Sequence, residues 1–266
     1  MLSNIIFGFL KIAGLRRRVI FYLKQKYFQD FGFEIIVGQA LVAPLPYKES
    51  YDSFSEIFLQ NEYFDLLQGI ELPHKWLDIG CHMGYFSLFL ERLRRLSGIT
   101  KKSSALLIDA DSRSKTAASR LIERNNLSNN WIYKHGAIGK TKDSITFYEN
   151  DYMSSTTLKG TDGIPVQVDI CKEQDIKLTL NGNYDLVKVD IEGSEWEFLE
   201  YYKGILENTR YLILEWHSWH CGGGGLNQLK AKIIDLGFHI SGESKIHALE
   251  KSKERQVGLI LAKKKC

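Results

Sequence analysis

Short apolar runs at Lys75–Ile79, Ala105–Asp109, Trp131–Lys134, Tyr184–Asp190 and Tyr211–Trp216 alternate with stretches of helical period that start near Gly84, Arg113, Ser194 and Leu226. Strands that are apolar throughout, rather than at every second position, belong to a sheet buried on both faces. Their alternation with helices makes that sheet parallel or mostly parallel. A more polar strand pair is expected at Ser144–Tyr148 and Val166–Asp169, and an antiparallel closing hairpin at Phe238–Ser241 and Val257–Ala262. Upstream, Phe33–Val42 alternates enough for one or two short strands. Ser53-Phe54-Ser55-Glu56 has the form of a capping box ahead of the periodic residues Ile57, Phe58, Tyr63, Leu66 and Leu67. Met1–Phe28 alternates apolar clusters with basic residues at helical spacing.

Charge divides the chain. The 266 residues carry 35 Lys plus Arg against 32 Asp plus Glu, a formal +3. Six basic residues against Asp30 give the first 30 residues +5, and Lys263-Lys264-Lys265 add +3, so the body between them sums to about −5. A mildly acidic body is not a basic platform, and no nucleic-acid partner is expected from it. The N-terminal apolar run is broken by Gly8, Lys11 and Gly14, falls short of the ~20 residues that span a bilayer, and lacks the features of a signal peptide. Two readings of residues 1–28 are open: a basic amphipathic helix in peripheral contact with an anionic membrane, or a helix packed on the body or on a second copy in a homodimer. The four cysteines are dispersed without a C-x-x-C, which fits a reducing cytoplasm and neither a disulfide framework nor a zinc knuckle.

The densest chemical signal is Trp76-Leu77-Asp78-Ile79-Gly80-Cys81-His82-Met83-Gly84-Tyr85-Phe86, a strand entering a glycine-flanked turn and then an amphipathic helix. Such a turn lets the backbone approach a ligand and leaves helix N–H groups free to meet it. The spacing is G-x-x-x-G, not G-x-G-x-x-G, and no Gly-Lys-Ser/Thr follows, which weakens dinucleotide and P-loop readings. Asp109 ends the second strand, where a carboxylate can take both hydroxyls of an adenosine ribose. That acid alone does not separate NAD from S-adenosylmethionine (SAM). The missing pyrophosphate loop favours SAM.

Asp78-Ile79-Gly80-Cys81-His82-Met83-Gly84-Tyr85, Asp109 and above all Val187-Lys188-Val189-Asp190-Ile191-Glu192-Gly193-Ser194-Glu195 resemble the FkbM family of SAM-dependent methyltransferases. The resemblance runs from about Lys75 to Ala262. It implies a Rossmann-like class I methyltransferase fold, an α/β architecture whose seven-stranded, mostly parallel sheet carries helices on both faces. It also implies methylation of a hydroxyl, on a sugar, glycan or natural product. By the same resemblance Asp78, Gly80, His82 and Gly84 surround the methionine end of SAM, Asp109 holds the ribose, and Gly136 and Ala137 flank the adenine. Two positions depart from the family, which usually has Asn at the place of His82 and Glu at that of Asp109. The chain then divides into a mainly helical extension, residues 1–70, and a methyltransferase domain, residues 71–266.

The acceptor end is expected among Asp190, Glu215 and His217, at the ends of the fourth and fifth strands. A hydroxyl is a poor nucleophile until its proton is removed, and His217 is a natural acceptor at cellular pH. Alternatively Asp190 and Glu215, with or without His217, hold Mg²⁺, although the spacing defines no metal site. A plainer reading pairs Lys188 with Asp190 as an internal ion pair on one face of a strand. The glycine-rich loop from His217 to Gly225 and the hydroxyl-rich Asp151–Thr157 are candidate walls. An NAD-dependent oxidoreductase is the rival enzyme, opposed by the missing glycine motif and the lack of Tyr-x-x-x-Lys. A SAM-fold protein that binds without transferring is the rival non-enzyme.

Overall fold

The computed structural model describes residues 33–47, 49–140, 143–149, 163–219, 225–249 and 252–265. Residues 1–28, Asp151–Thr157, and His220 with residues 221–224 lie outside the described residues, and with them the membrane, second-subunit and loop-wall expectations. A hairpin of β1 (Glu34–Gly38) and β2 (Leu41–Pro44) leads to helices α1 (Ser50–Phe58) and α2 (Phe64–Leu67). There follow β3 (Lys75–Ile79), α3 (Tyr85–Leu96), β4 (Ser104–Asp109), α4 (Ser112–Arg124) and β5 (Trp131–His135). The inserted pair is β6 (Ser144–Glu149) and β7 (Ile164–Asp169), after which come α5 (Glu173–Thr179), β8 (Tyr184–Val189), α6 (Glu195–Tyr201) and α7 (Lys203–Glu207). The chain closes with β9 (Thr209–His217), α8 (Leu226–Asp235), β10 (Phe238–Glu243), β11 (His247–Leu249) and β12 (Ser252–Lys264).

The main sheet runs β5-β4-β3-β8-β9-β12-β10, with β11 attached to β12. Its strands from β5 to β9 are parallel, and β12 is antiparallel to both of its neighbours. This is the seven-strand order of the class I methyltransferase fold. Successive residues point to opposite faces, and both faces are covered. Trp76, Leu107, Leu186 and Ile213 pack toward Phe54, Phe86 and Leu121 of α1, α3 and α4. Their neighbours Leu77, Leu106, Val187 and Leu212 pack toward Ile176, Phe198, Ile205 and Leu229 of α5 to α8. Double burial explains why the strands read as unbroken apolar runs. β6 and β7 form a separate two-stranded ribbon.

The capping box is not there. α1 begins at Ser50, and its N-cap Glu49 makes no side-chain cap. Ser53 lies buried inside the helix, where its hydroxyl meets Nδ1 of His82 at 3.2 Å, so a tertiary contact takes the side chain that the local pattern assigns to a cap. Residues 33–70 share the core of the sheet: Leu41, Leu45, Phe54, Ile57 and Leu66 belong to the same apolar cluster as Trp76 and Phe86. Asn125 ties the hairpin to α4. Its Nδ2 donates to the carbonyls of Val42 and Leu121, both at 2.8 Å, and its Oδ1 accepts from the Val42 amide at 2.7 Å. Asn125→Ala strands these buried groups and is expected to lower stability by about 1–3 kcal/mol, read as a lower urea midpoint at unchanged slope. Among the described residues no helix is long and apolar enough to cross a membrane.

Candidate functional site

β3 and β8 are neighbours, yet the chain leaves β3 toward β4 on its other side, so a crevice opens above the carboxyl ends of these strands. The turn after β3 is bonded to both sides of it. The amides of Gly80 and Cys81 donate to the carbonyl of Ile108, and the Asp190 amide donates to the carbonyl of Ile79. The backbone is left-handed at Gly80 (φ 71°), His82 (φ 51°) and Gly84 (φ 81°). A methyl group on Gly80 would stand 1.5 Å from the carbonyl oxygen of Asp190, and one on Gly84 would stand 2.9 Å from Leu107. The space beside both glycines is thus filled by the protein's own atoms. What the turn leaves open is the start of α3, which has no side-chain cap. Uncapped amides with the positive helix end suit a carboxylate such as that of methionine.

Asp109, at the end of β4, accepts from the His82 amide at 2.6 Å and from the Asp111 amide at 2.8 Å. Burial outweighs these bonds and pushes its carboxyl up to about 6. The His82 ring is held neutral, its pKa pushed down to about 3 by burial above all. Gly136 and Ala137 are fixed from behind: Ala137 exchanges backbone bonds with Asp169 and Cys171, and a methyl group on Gly136 would stand 2.3 Å from Sγ of Cys171.

Asp78 is fully buried below the turn. Trp76 Nε1 donates to Ser87 Oγ at 2.9 Å, which donates to Asp78 Oδ2 at 2.7 Å. The other carboxylate oxygen stands 3.7 Å from the ammonium of Lys188. Lys188 donates to the Gly80 carbonyl at 2.8 Å and to Asp190 Oδ2 at 3.0 Å. The internal ion pair read from strand alternation is therefore present, and Asp78 supports the turn from inside the core.

At the end of β9 His217 is enclosed by four acidic side chains. Its Nδ1 lies 2.8 Å from Glu195 Oε1, while Nε2 stands 3.7 Å from Glu192, 3.8 Å from Asp190 and 3.9 Å from Glu215. Burial opposes its charge, but Glu192, Glu195 and Glu215 prevail and hold its pKa well above the ordinary value. A protonated imidazole has no lone pair to offer, so in the ligand-free protein His217 is a charged partner. Burial likewise opposes the charge of Asp190, but Lys188 and His217 hold its carboxyl below the usual range. Glu215 is pushed well up by burial and by the charges of Asp190 and Glu62, and its Oε2 accepts from the Tyr63 hydroxyl at 3.2 Å.

The sequence-derived residues Asp190, Glu215 and His217 thus meet, and Asp109 and Asp78 adjoin the turn of Gly80, His82 and Gly84. Residues not anticipated at the site are Glu195, which orients His217, and Glu56 and Glu62, both raised to about 7 by burial first and then by neighbouring acids. The available signal for Glu56 was a polar residue one helical turn from Ser53 on a helix that buries Phe54 and Ile57. Glu195 had none beyond its place in the motif.

No protein-family model and no curated protein matches the chain, so the FkbM resemblance stands on the motif residues alone. Among solved structures it is similar to Streptococcus pneumoniae Sp1610, a putative tRNA (m1A22) methyltransferase in complex with SAM: 16% identity, TM-score 0.40, covering 71% of this chain and 65% of that one. It is similar to M. capricolum TrmK in complex with S-adenosyl-homocysteine (SAH), with 16% identity, TM-score 0.43 and coverage of 78% and 68%. A third is a putative O-methyltransferase from Klebsiella pneumoniae, with 11% identity, TM-score 0.45 and coverage of 78% and 80%. The chain spans about two thirds of the pneumococcal protein's length. Likeness at this level concerns the fold, which the strand order already establishes. One expectation is corrected: similar structures include a putative tRNA (m1A22) methyltransferase and a putative RNA methyltransferase, so the expectation of no nucleic-acid partner does not stand.

Proposed function

We propose that the protein is a SAM-dependent methyltransferase acting on a hydroxyl of a sugar, glycan or natural-product acceptor. The observation that carries this reading is the arrangement around the crevice: an uncapped α3 and Asp109 on one side, and Asp190, Glu215 and His217 on the other. The donor set fits the cofactor piece by piece. Helix amides suit its carboxylate, Asp109 suits the ribose hydroxyls, and the carboxylates around His217 suit a sulfonium. When bound, SAM supplies an electrophilic methyl group. Asp190, Glu215 and His217 line the place of the acceptor, where together they orient the hydroxyl and take up its proton as the methyl group moves. The FkbM family remains the assignment proposed from the motif residues.

Calorimetric titration tests the cofactor: SAH is expected to bind and NAD not. Tight NAD binding with no response to SAM or SAH would overturn the reading. Asp109→Asn should weaken SAH at least tenfold. The pH dependence has a defined sign. Because the folded pKa of Asp109 lies above its ordinary 3.8, its contribution to stability is full below that value and is lost as pH rises through about 6. Ribose hydroxyls favour the ionised form, so SAH affinity should fall as pH drops below about 6. Sugars and RNA enter the same transfer assay as competing acceptors. Methylation of RNA alone would sink the proposed substrate class while leaving the cofactor in place.

A further inference from the structure

Asp190, Glu192 and His217 each present one donor atom, and the three atoms all lie within 4.8 Å of one another. The separations of 3.8 Å from His217 Nε2 to Asp190 and 3.7 Å to Glu192 are too long for hydrogen bonds. Two donors sharing one divalent ion at ~2.1–2.3 Å stand ~3.0–4.5 Å apart, so the gaps suit a single ion without rearrangement. We infer that Asp190, Glu192 and His217 form a binding site for one divalent cation of the Mn²⁺ type.

The second observation is the imidazole itself. His217 has a side-chain exposure of 2%, yet Nε2 makes no hydrogen bond among the described residues and faces the gap. Its other nitrogen is held by Glu195, a buried carboxylate that also accepts the Gly193 amide at 3.1 Å. A carboxylate behind an imidazole fixes the ring so that Nε2 is aimed at the gap, and a cation entering there displaces the Nε2 proton to solvent and coordinates the nitrogen. Asp190 is divided in the same way, with Oδ2 engaged by Lys188 and Oδ1 facing His217. Two carboxylates with one imidazole and no thiolate favour Mn²⁺ over the soft-ligand metals and over Ca²⁺, which prefers oxygen alone. The inference deepens the proposed function and rests on it for its purpose: a cation here would bind the acceptor hydroxyl and lower its pKa.

The test uses the full chain, stripped with a chelator and titrated with Mn²⁺ under electron paramagnetic resonance. Free-Mn²⁺ signal should be lost up to one ion per chain. Glu192→Gln, at a partly exposed position that leaves the core intact, should weaken binding at least tenfold, and Glu195→Gln should weaken it similarly with circular dichroism unchanged. No saturable binding by the folded wild type, or binding that Glu192→Gln leaves unaltered, overturns the inference. SAH titrated into the same sample separates the two ideas. SAH binding without Mn²⁺ binding removes the cation site alone, and Mn²⁺ binding without SAH or SAM removes the cofactor reading alone.

Discussion

Gly80→Ala is expected to cost about 3–5 kcal/mol, because two penalties fall on one atom. The backbone is left-handed at φ 71°, and the new methyl group would stand 1.5 Å from the carbonyl oxygen and 2.6 Å from the carbonyl carbon of Asp190. Backbone cannot yield as a flexible side chain does. Either the turn after β3 or the segment after β8 must move, and both form the crevice. Gly98→Ala is the control. Gly98 has nearly the same φ, 72°, but nothing lies within 4 Å of its added methyl, so only the conformational cost of about 1–2 kcal/mol remains. Urea unfolding of both variants checks the argument, and equal midpoints would refute the clash.

Lys188→Met is expected to cost about 3–5 kcal/mol at neutral pH, since it removes the ammonium shared by Asp78 and Asp190, leaving buried Asp78 uncompensated and Asp190 facing His217 alone. The loss should depend on pH. In the wild type, Asp190 is held below its ordinary value, so its contribution is present above the unfolded pKa and lost as pH falls through the folded one. Asp78, raised by burial, acts in the opposite sense. Without the ammonium both carboxyls rise, Asp78 further above its unfolded value, so the folded variant holds protons that the folded wild type has released. The deficit should therefore shrink between pH 8 and pH 5. A deficit constant over that range would show that the side chain acts by packing alone.

Much of this fold was legible in the chain because double burial leaves a plain mark. Leu106 and Leu107 face opposite cores, so β4 has no polar alternation and reads as an internal strand. The strand ends were legible for the same reason: Asp109 and Asp190 follow directly where the apolar runs stop. The capping box failed because Ser53 satisfies two patterns, and only packing against His82 chooses between them. Glu56, Glu62 and Tyr63 were missed because they precede the sheet in the chain and reach the crevice only when α1 and the segment after it fold over it.

The site chemistry divides along the same line. Glycines and acids at fixed spacing are local features, and they determined that a tight glycine-flanked turn stands beside two acid-tipped strands. Which acids are charged was not local. Asp109 and Asp190 are both strand-end aspartates, yet burial raises the first to about 6 while Lys188 and His217 hold the second low. His217 reads in the chain as a base near neutrality, whereas in the fold Glu192, Glu195 and Glu215 favour its charged form. Residue type sets a reference pKa, but burial and neighbouring charge decide the working one, and both exist only once β8, β9 and α6 have come together.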